Sequence, residues 1–282
     1  MPWDAVPGRR HDLGGHGNCG EGIALLERGG RRYLYLAHER GPANFSVLDV
    51  TDPTAPQLLT QTMLPHGSVR SNSLAVSGEL LVVAYQVERP GERPAGIEVY
   101  DLSRPAEPRP ISFLDLSGPH SRGTHWVGFT VGTHAYLSTG TPDSRPTNPL
   151  DDQFPVIVDL AQPDRPAEVG RWWLPGTQHG DGSPPPVRHE VFDAGFRAHN
   201  INVCAGRPDR AYVGYLDAAC RHPGHQRCRF SGEWCPALTT TRRCRASPTP
   251  CCRCRAATCW RSATRAFTTP PPTTPSWSGS PT

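Results

Sequence analysis

Three stretches of this chain repeat one pattern: Phe45-Ser-Val-Leu-Asp-Val-Thr-Asp-Pro-Thr-Ala-Pro56, Ile97-Glu-Val-Tyr-Asp-Leu-Ser-Arg-Pro-Ala-Glu-Pro108 and Val156-Ile-Val-Asp-Leu-Ala-Gln-Pro-Asp-Arg-Pro166. Each is a β-branched or aromatic run that ends in Asp, followed by an apolar residue, a small polar turn and two prolines. The aligned aspartates are Asp49, Asp101 and Asp159, so the period is 52 and then 58 residues. Self-similarity of that length with strand-like content implies radially repeated sheets rather than a helical solenoid.

Further strand signals flank each motif. Arg32–Ala37, Glu79–Tyr85 and His134–Ser138 precede the three copies, and Ala211–Tyr215 opens a fourth unit. In front of these lie Gly22–Leu26, Ser73–Val76, Trp126–Val131 and Asn200–Val203, while Gln57–Leu64 and Glu168–Leu174 follow the first and third motifs. All are short runs bounded by Gly or Pro, which is the strand signature. The expectation is an all-β chain, a β-propeller of about three complete four-stranded blades and a partial fourth. Residues 1–18 form an N-terminal segment, 19–216 the blades, and 217–282 a separate tail. The repeated aspartates should sit at strand ends and accept from turn amides, and the prolines should stop the strand. The stretches Gly140–Gln153 and Pro175–Arg188 read as insertions. Trp172 and Trp173 should send one ring to each side of their strand.

The net charge of +3, from 29 basic and 26 acidic residues, gives no field of the kind that attracts nucleic acid. Every basic residue is Arg. No run of apolar residues is long enough for a membrane span, and the start lacks the apolar centre of a secretory signal, so the expected compartment is cytoplasmic.

The tail has a different composition. After Leu216 it contains no Val, Ile, Met or Tyr, and its single Leu is Leu238. It holds eight of the 10 cysteines: Cys220, Cys228, Cys235, Cys244, Cys251, Cys252, Cys254 and Cys259. Their spacing is not that of paired zinc ligands, and too few aliphatics are present for a core. Shifting the reading frame from Arg245 can yield Gly-Phe-Thr-His-Thr-Val-Leu-Pro-Leu-Pro-Gly-Arg. The other shift over Cys220–Arg227 can yield Ala-Val-Ile-Leu-Asp-Ile-Ser-Asp, a fourth copy of the repeat. An out-of-frame, largely disordered tail accounts for this better than a Cys-rich module does.

The motif Val156-Ile-Val-Asp159, with Ser46-Val-Leu-Asp49 and Glu98-Val-Tyr-Asp101, resembles the LVIVD-repeat family of β-propellers over about residues 11–216. The resemblance implies a propeller of several blades, often seven, in proteins that are mostly uncharacterised and sometimes found at cell surfaces. It implies fold and not activity. This chain departs from the pattern in carrying fewer blades.

Aligned on their second strands, the units place His125 and His199 at one position, just ahead of the first strand. Unit two offers Ser71 there, and unit one Gly20 or Glu21. First strands of propellers line the central channel, so these histidines would converge, as a transition metal requires. His16 is a third candidate ligand, and His11, Asp12, His179 and Asp181 could add to the set. The alternative is that His125 and His199 make buried hydrogen bonds between blades. Cys19 and Cys204 read as small buried hydrophobes, and Gly14-Gly15-His16-Gly17 as a turn.

No phosphate loop, nucleophile elbow or paired-histidine zinc helix is present. Two function classes therefore stand. One is a binding or interaction scaffold for a small molecule or protein partner, with no nucleic acid and no membrane span. The other is a metal-dependent, oxidoreductase-like enzyme using the channel histidines with a transition metal as cofactor; selenium-binding protein and methanethiol oxidase are a distant parallel.

Overall fold

The computed structural model describes residues 11–16, 19–129, 132–203, 210–217 and 260–261. Almost all regular structure is strand, and the one short 3₁₀ turn spans Leu13–Gly15 among the described residues. No helix of the described residues is long and apolar enough to cross a membrane.

The first sheet is a meander of β1 (Cys19–Arg28), β2 (Arg31–His38), β3 (Ala43–Asp49) and β4 (Gln57–Met63), antiparallel and paired in chain order. β1 turns into β2 through Gly29-Gly30, both at positive φ, the backbone that a two-residue hairpin needs. The second sheet holds β6 (Leu74–Ser77), β7 (Leu80–Val87), β8 (Gly96–Asp101) and β9 (Arg109–Asp115), with the short β5 (Val69–Arg70) also on β7. A small hairpin, β10 (Ser117–Gly118) and β11 (Ser121–Arg122), leads into the third sheet. That sheet is β12 (Thr124–Gly128), β13 (His134–Thr139), β14 (Phe154–Asp159) and β15 (Ala167–Arg171). A fourth sheet pairs β16 (Ala198–Val203), β17 (Arg210–Tyr215) and the two-residue β18 (Trp260–Arg261). The out-of-frame reading of 217–282 falls almost wholly outside the described residues, and so does Cys204.

The sequence repeat is also a hydrogen-bond repeat. Asp49, Asp101 and Asp159 each end the third strand of a sheet, and each accepts through Oδ1 from the amide two residues on, at 2.8 Å from Thr51, 2.7 Å from Ser103 and 2.9 Å from Ala161. The residue after each Asp donates back to the residue just before or at the start of the second strand: Val50 to Arg32, Leu102 to Glu79 and Leu160 to Thr133. A second turn then closes three residues later, with Ala55, Glu107 and Arg165 donating to Asp52, Arg104 and Gln162. Three copies of one local solution explain why the motif recurs with its Asp and prolines.

Consecutive sheets pack face to face. Tyr33, Tyr35, Phe45 and Val47 of the first meet Leu81, Val83, Tyr85 and Tyr100 of the second. Val82, Ala84, Ile97 and Val99 leave the other face of the second sheet to meet Leu137, Phe154, Val156 and Val158 of the third. Tyr136 and Ile157 then meet Ala198, Ile201 and Val213 of the fourth. The two faces of β7 and of β14 are thus both apolar, which is why their sequences read as continuous hydrophobic runs rather than alternating ones. Trp173 packs edge-on to Phe154, and Trp172 to Tyr215, so the adjacent rings, just past the end of β15, serve opposite faces of the third sheet. Hydroxyls stitch the outer strands across: Thr60 to the carbonyl of Ala106 at 2.7 Å and Ser112 to that of Pro163 at 2.5 Å.

At the inner edge the first strands of neighbouring sheets come together. The amides of Glu21 and Gly22 both donate to the carbonyl of Asn72, at 2.8 and 3.0 Å. A Cβ on Gly22 would lie 2.2 Å from the amide nitrogen of Leu74, so only glycine permits this approach. Replacing Gly22 by Ala should therefore force β1 away from β6 and destabilise the fold by about 1–3 kcal/mol. The readout is the urea midpoint, and an unchanged midpoint would show that the strands are not held so close.

Candidate metal centre

Four residues occupy one structural position. Ile23, Leu74, Val127 and Ile201 pair with Leu36, Val83, Leu137 and Val213 of the adjoining strands. Two residues ahead of these stand Glu21, Asn72, His125 and His199. Cross-strand pairing thus settles what the sequence left open, giving Glu21 for the first sheet. It also corrects Ser71 to Asn72 in the second, because Ser71 instead bridges to His38.

Register is irregular at three of these places, between Cys19 and Ile23, between Thr124 and Trp126, and between Ala198 and Ile201. A bulge adds a residue on one strand and re-aims its side chain. Here the three irregularities carry Glu21, His125 and His199, and their side chains converge. The ligand atoms of the three all lie within 4.8 Å of one another. His125 Nε2 is 3.2 Å from His199 Nε2, with the rings edge to face. Glu21 lies 3.8 Å from His125 Nε2 through Oε2 and 3.5 Å from His199 Nε2 through Oε1.

The surroundings fix the chemistry of His125. Its Nδ1 is 3.1 Å from Gln86 Oε1. That same oxygen accepts from Arg70 Nε at 2.9 Å and Nη2 at 2.6 Å. A guanidinium can only donate, so the atom facing it is the amide oxygen and not the nitrogen. His125 must then donate from Nδ1, which leaves Nε2 as a lone pair turned to His199 and Glu21. This is the arrangement by which an outer hydrogen bond orients a metal-binding imidazole. Burial above all, and then His199, Arg70, Arg122 and Arg197, pull the His125 pKa down to about 3, so the ring is neutral at ordinary pH.

The donor set fits a transition ion. With ligand bonds of about 2.1 Å, two donors are separated by roughly 3.4 Å at a tetrahedral angle and roughly 3.0 Å at a right angle. The observed 3.2 Å falls within this range and 3.5 Å just beyond it, while 3.8 Å corresponds to an opened angle of about 130° at the same bond lengths. Two imidazoles and a carboxylate, leaving further positions open, suit Zn²⁺ or Fe²⁺ in catalytic roles. Asn72, at the equivalent place in the second sheet, is buried with an Oδ1 that lacks a hydrogen-bond partner.

The structure does not bring the remaining candidates into this group. His16 caps the N-terminal 3₁₀ turn through its amide, and Glu21 takes the third place assigned to His16 from the sequence. His11 accepts from the Leu13 amide, and Asp12 from that of Gly14. Asp181 accepts from Trp173 Nε1 and from the amides of Gly176 and Ser183, which makes it a turn former. Gln86 and Arg70 carried no sequence signal, since they reach His125 from the second strand of a neighbouring sheet and from the segment before it.

No protein-family model and no curated protein matches this sequence. Among solved structures, it is similar to a candidate 6-phosphogluconolactonase from Bacteroides uniformis, with 11% identity and a TM-score of 0.44 over 70% of this chain. The match spans about half (51%) of that protein's length. Nothing about the activity of this chain follows from so distant a likeness.

Because the folded pKa of His125 lies below its unfolded value, protonation favours the unfolded chain. The penalty is absent above about pH 6.5 and grows as pH falls from there towards about 3. Metal-free protein should lose roughly 1–2 kcal/mol of stability from this residue between pH 6.5 and 5, and His125→Gln should remove that part of the slope. Urea unfolding at both pH values is the measurement; parallel slopes for the two proteins would contradict it.

Proposed function

We propose that this protein is a metal-dependent enzyme built on a β-propeller of the LVIVD-repeat kind, with Glu21, His125 and His199 binding one transition-metal ion. The observation that carries the reading is the meeting of three ligand atoms within 4.8 Å from three separate sheets. The propeller reading draws support from the repeated Asp turns, the face-to-face packing of successive sheets and the convergence of their first strands. On this reading β1–β4, β6–β9 and β12–β15 are blades, β16 and β17 begin a fourth, and the ion sits where the first strands meet.

Each residue has a role. His125 and His199 supply nitrogen donors. Glu21 supplies the anionic oxygen, which halves the charge of a divalent ion and leaves it electrophilic. Gln86, held by Arg70, keeps the His125 proton on Nδ1. An ion with open positions can polarise a bound carbonyl or phosphoryl oxygen, or bring a bound water to ionise near neutral pH. The substrate would enter from the Glu21 and His199 side, where the side chains are 41% and 32% exposed while that of His125 is 11%.

Metal-stripped protein should take up one Zn²⁺ or Co²⁺ per chain and gain about 2.7 kcal/mol of stability when the free metal exceeds its dissociation constant 100-fold. His125→Ala, His199→Ala and Glu21→Gln should each abolish stoichiometric uptake. Gln86→Leu should weaken it by about 10–100-fold while leaving all three ligands in place. Metal analysis after dialysis tests this directly. Uptake that is absent, or equal in the variants, returns the two histidines to a hydrogen-bonding role and favours the scaffold reading.

A further inference from the structure

Beside the three ligands stands a second group that the metal reading does not use. Asp152, 3% exposed, accepts from Arg122 Nε at 2.6 Å and Nη2 at 3.5 Å, and from Arg197 Nε at 2.7 Å. Arg122 precedes His125 by three residues and Arg197 precedes His199 by two. One buried carboxylate therefore joins the segments that lead into the two histidine-bearing strands, just ahead of the place where the histidines touch. At about 3.3 Å per residue the guanidinium-bearing positions lie roughly 7–10 Å along the backbone from the histidines, within the reach of an arginine side chain.

Two features give this pair a binding character. Both arginines spend Nε on Asp152, so both Nη groups of Arg197 and Nη1 of Arg122 have no protein acceptor among the described residues. Both side chains also stay partly open, at 18% and 21% exposure. Charge points the same way. Two guanidiniums face one carboxylate at Asp152, and a divalent ion would outweigh the single charge of Glu21. Arg70 adds a third cation on the far side of Gln86, paired only loosely with Glu39 at 3.4 Å. Guanidiniums whose Nε is pinned present their outer N–H groups in a fixed fork, the geometry that carboxylate and phosphate oxygens accept.

We infer that the substrate of this site is a small oxyanion, a carboxylate or phosphate compound, held by the outer N–H groups of Arg122 and Arg197 while another of its oxygens faces the metal. The inference rests on the metal reading above. Asp152 is then a positioning residue that aims both guanidiniums and does not itself touch the substrate.

The test uses the full chain loaded with Co²⁺, whose visible absorption reports its coordination. Inorganic phosphate and acetate are titrated in, with acetamide as the uncharged counterpart of acetate. Saturable spectral changes are expected with both anions and none with acetamide, and the ratio of the two affinities tells a phosphate site from a carboxylate site. Arg197→Gln should keep one Co²⁺ per chain and weaken phosphate at least 10-fold. If that variant fails to fold, Arg122→Gln serves in its place. Bound Co²⁺ with a spectrum indifferent to both anions, or phosphate binding unchanged in a folded variant, overturns the oxyanion proposal and leaves the metal site standing. Failure to bind Co²⁺ at all overturns both.

Discussion

Everything at the candidate centre depends on how closely the first strands of successive sheets approach. The approach is made by backbone: two amides of β1 share the Asn72 carbonyl, and the missing Cβ of Gly22 lets β1 lie against Leu74. Gly128 does the same for the third and fourth sheets, since a Cβ there would fall 2.5 Å from the Ile201 carbonyl. Large side chains at these two places would separate the strands by more than the reach of the ligands. Tight packing of the sheets and assembly of the site are thus one constraint, because interiors at crystal-like density have no slack to absorb a displaced strand.

The division of labour along each unit follows from this. Outer strands carry the Asp turn, the prolines and the cross-sheet hydroxyl bonds, which repeat in almost the same form from sheet to sheet. Inner strands share a geometry but not a composition: Glu, Asn, His and His at the common position. A repeat architecture can vary the residues at its centre without disturbing the turns that specify the fold. Local turn chemistry and the apolar core stabilise the sheets, and the convergent positions are left free for polar side chains that would be costly elsewhere in a buried core.

That division also explains what could be read from the sequence. The Asp-turn-Pro pattern is local, so the spacing of Asp49, Asp101 and Asp159 announced the strands and their order. The shared place of His125 and His199 was legible for the same reason, because each precedes an apolar run at a fixed distance. Glu21 was less so, since a register irregularity between Cys19 and Ile23 obscures which residue reaches the common position. Gln86 and Arg70 were not legible at all. They contribute to His125 only through the way the second sheet packs against the third, a tertiary relation with no fixed sequence offset. Asp152 likewise lies in what the sequence presents as an insertion, yet its burial and its two arginines tie the third sheet to the fourth.

The strongest case for an ion over a purely hydrogen-bonded triad lies with Glu21. A neutral His125 with its proton on Nδ1 can accept one hydrogen bond at Nε2 from the Nε2–H of His199, and this would satisfy the 3.2 Å contact between the rings. The carboxylate is not accounted for in that scheme. It stands 3.5 Å from one imidazole nitrogen and 3.8 Å from the other, beyond good hydrogen-bond length to either. Its most favourable response to a single imidazolium would be to close on it, but burial and the neighbouring arginines keep His125 from taking a proton. A cation shared by all three groups removes the difficulty. It gives both lone pairs and the carboxylate a common partner at separations close to those already present, with no change in the strands that carry them.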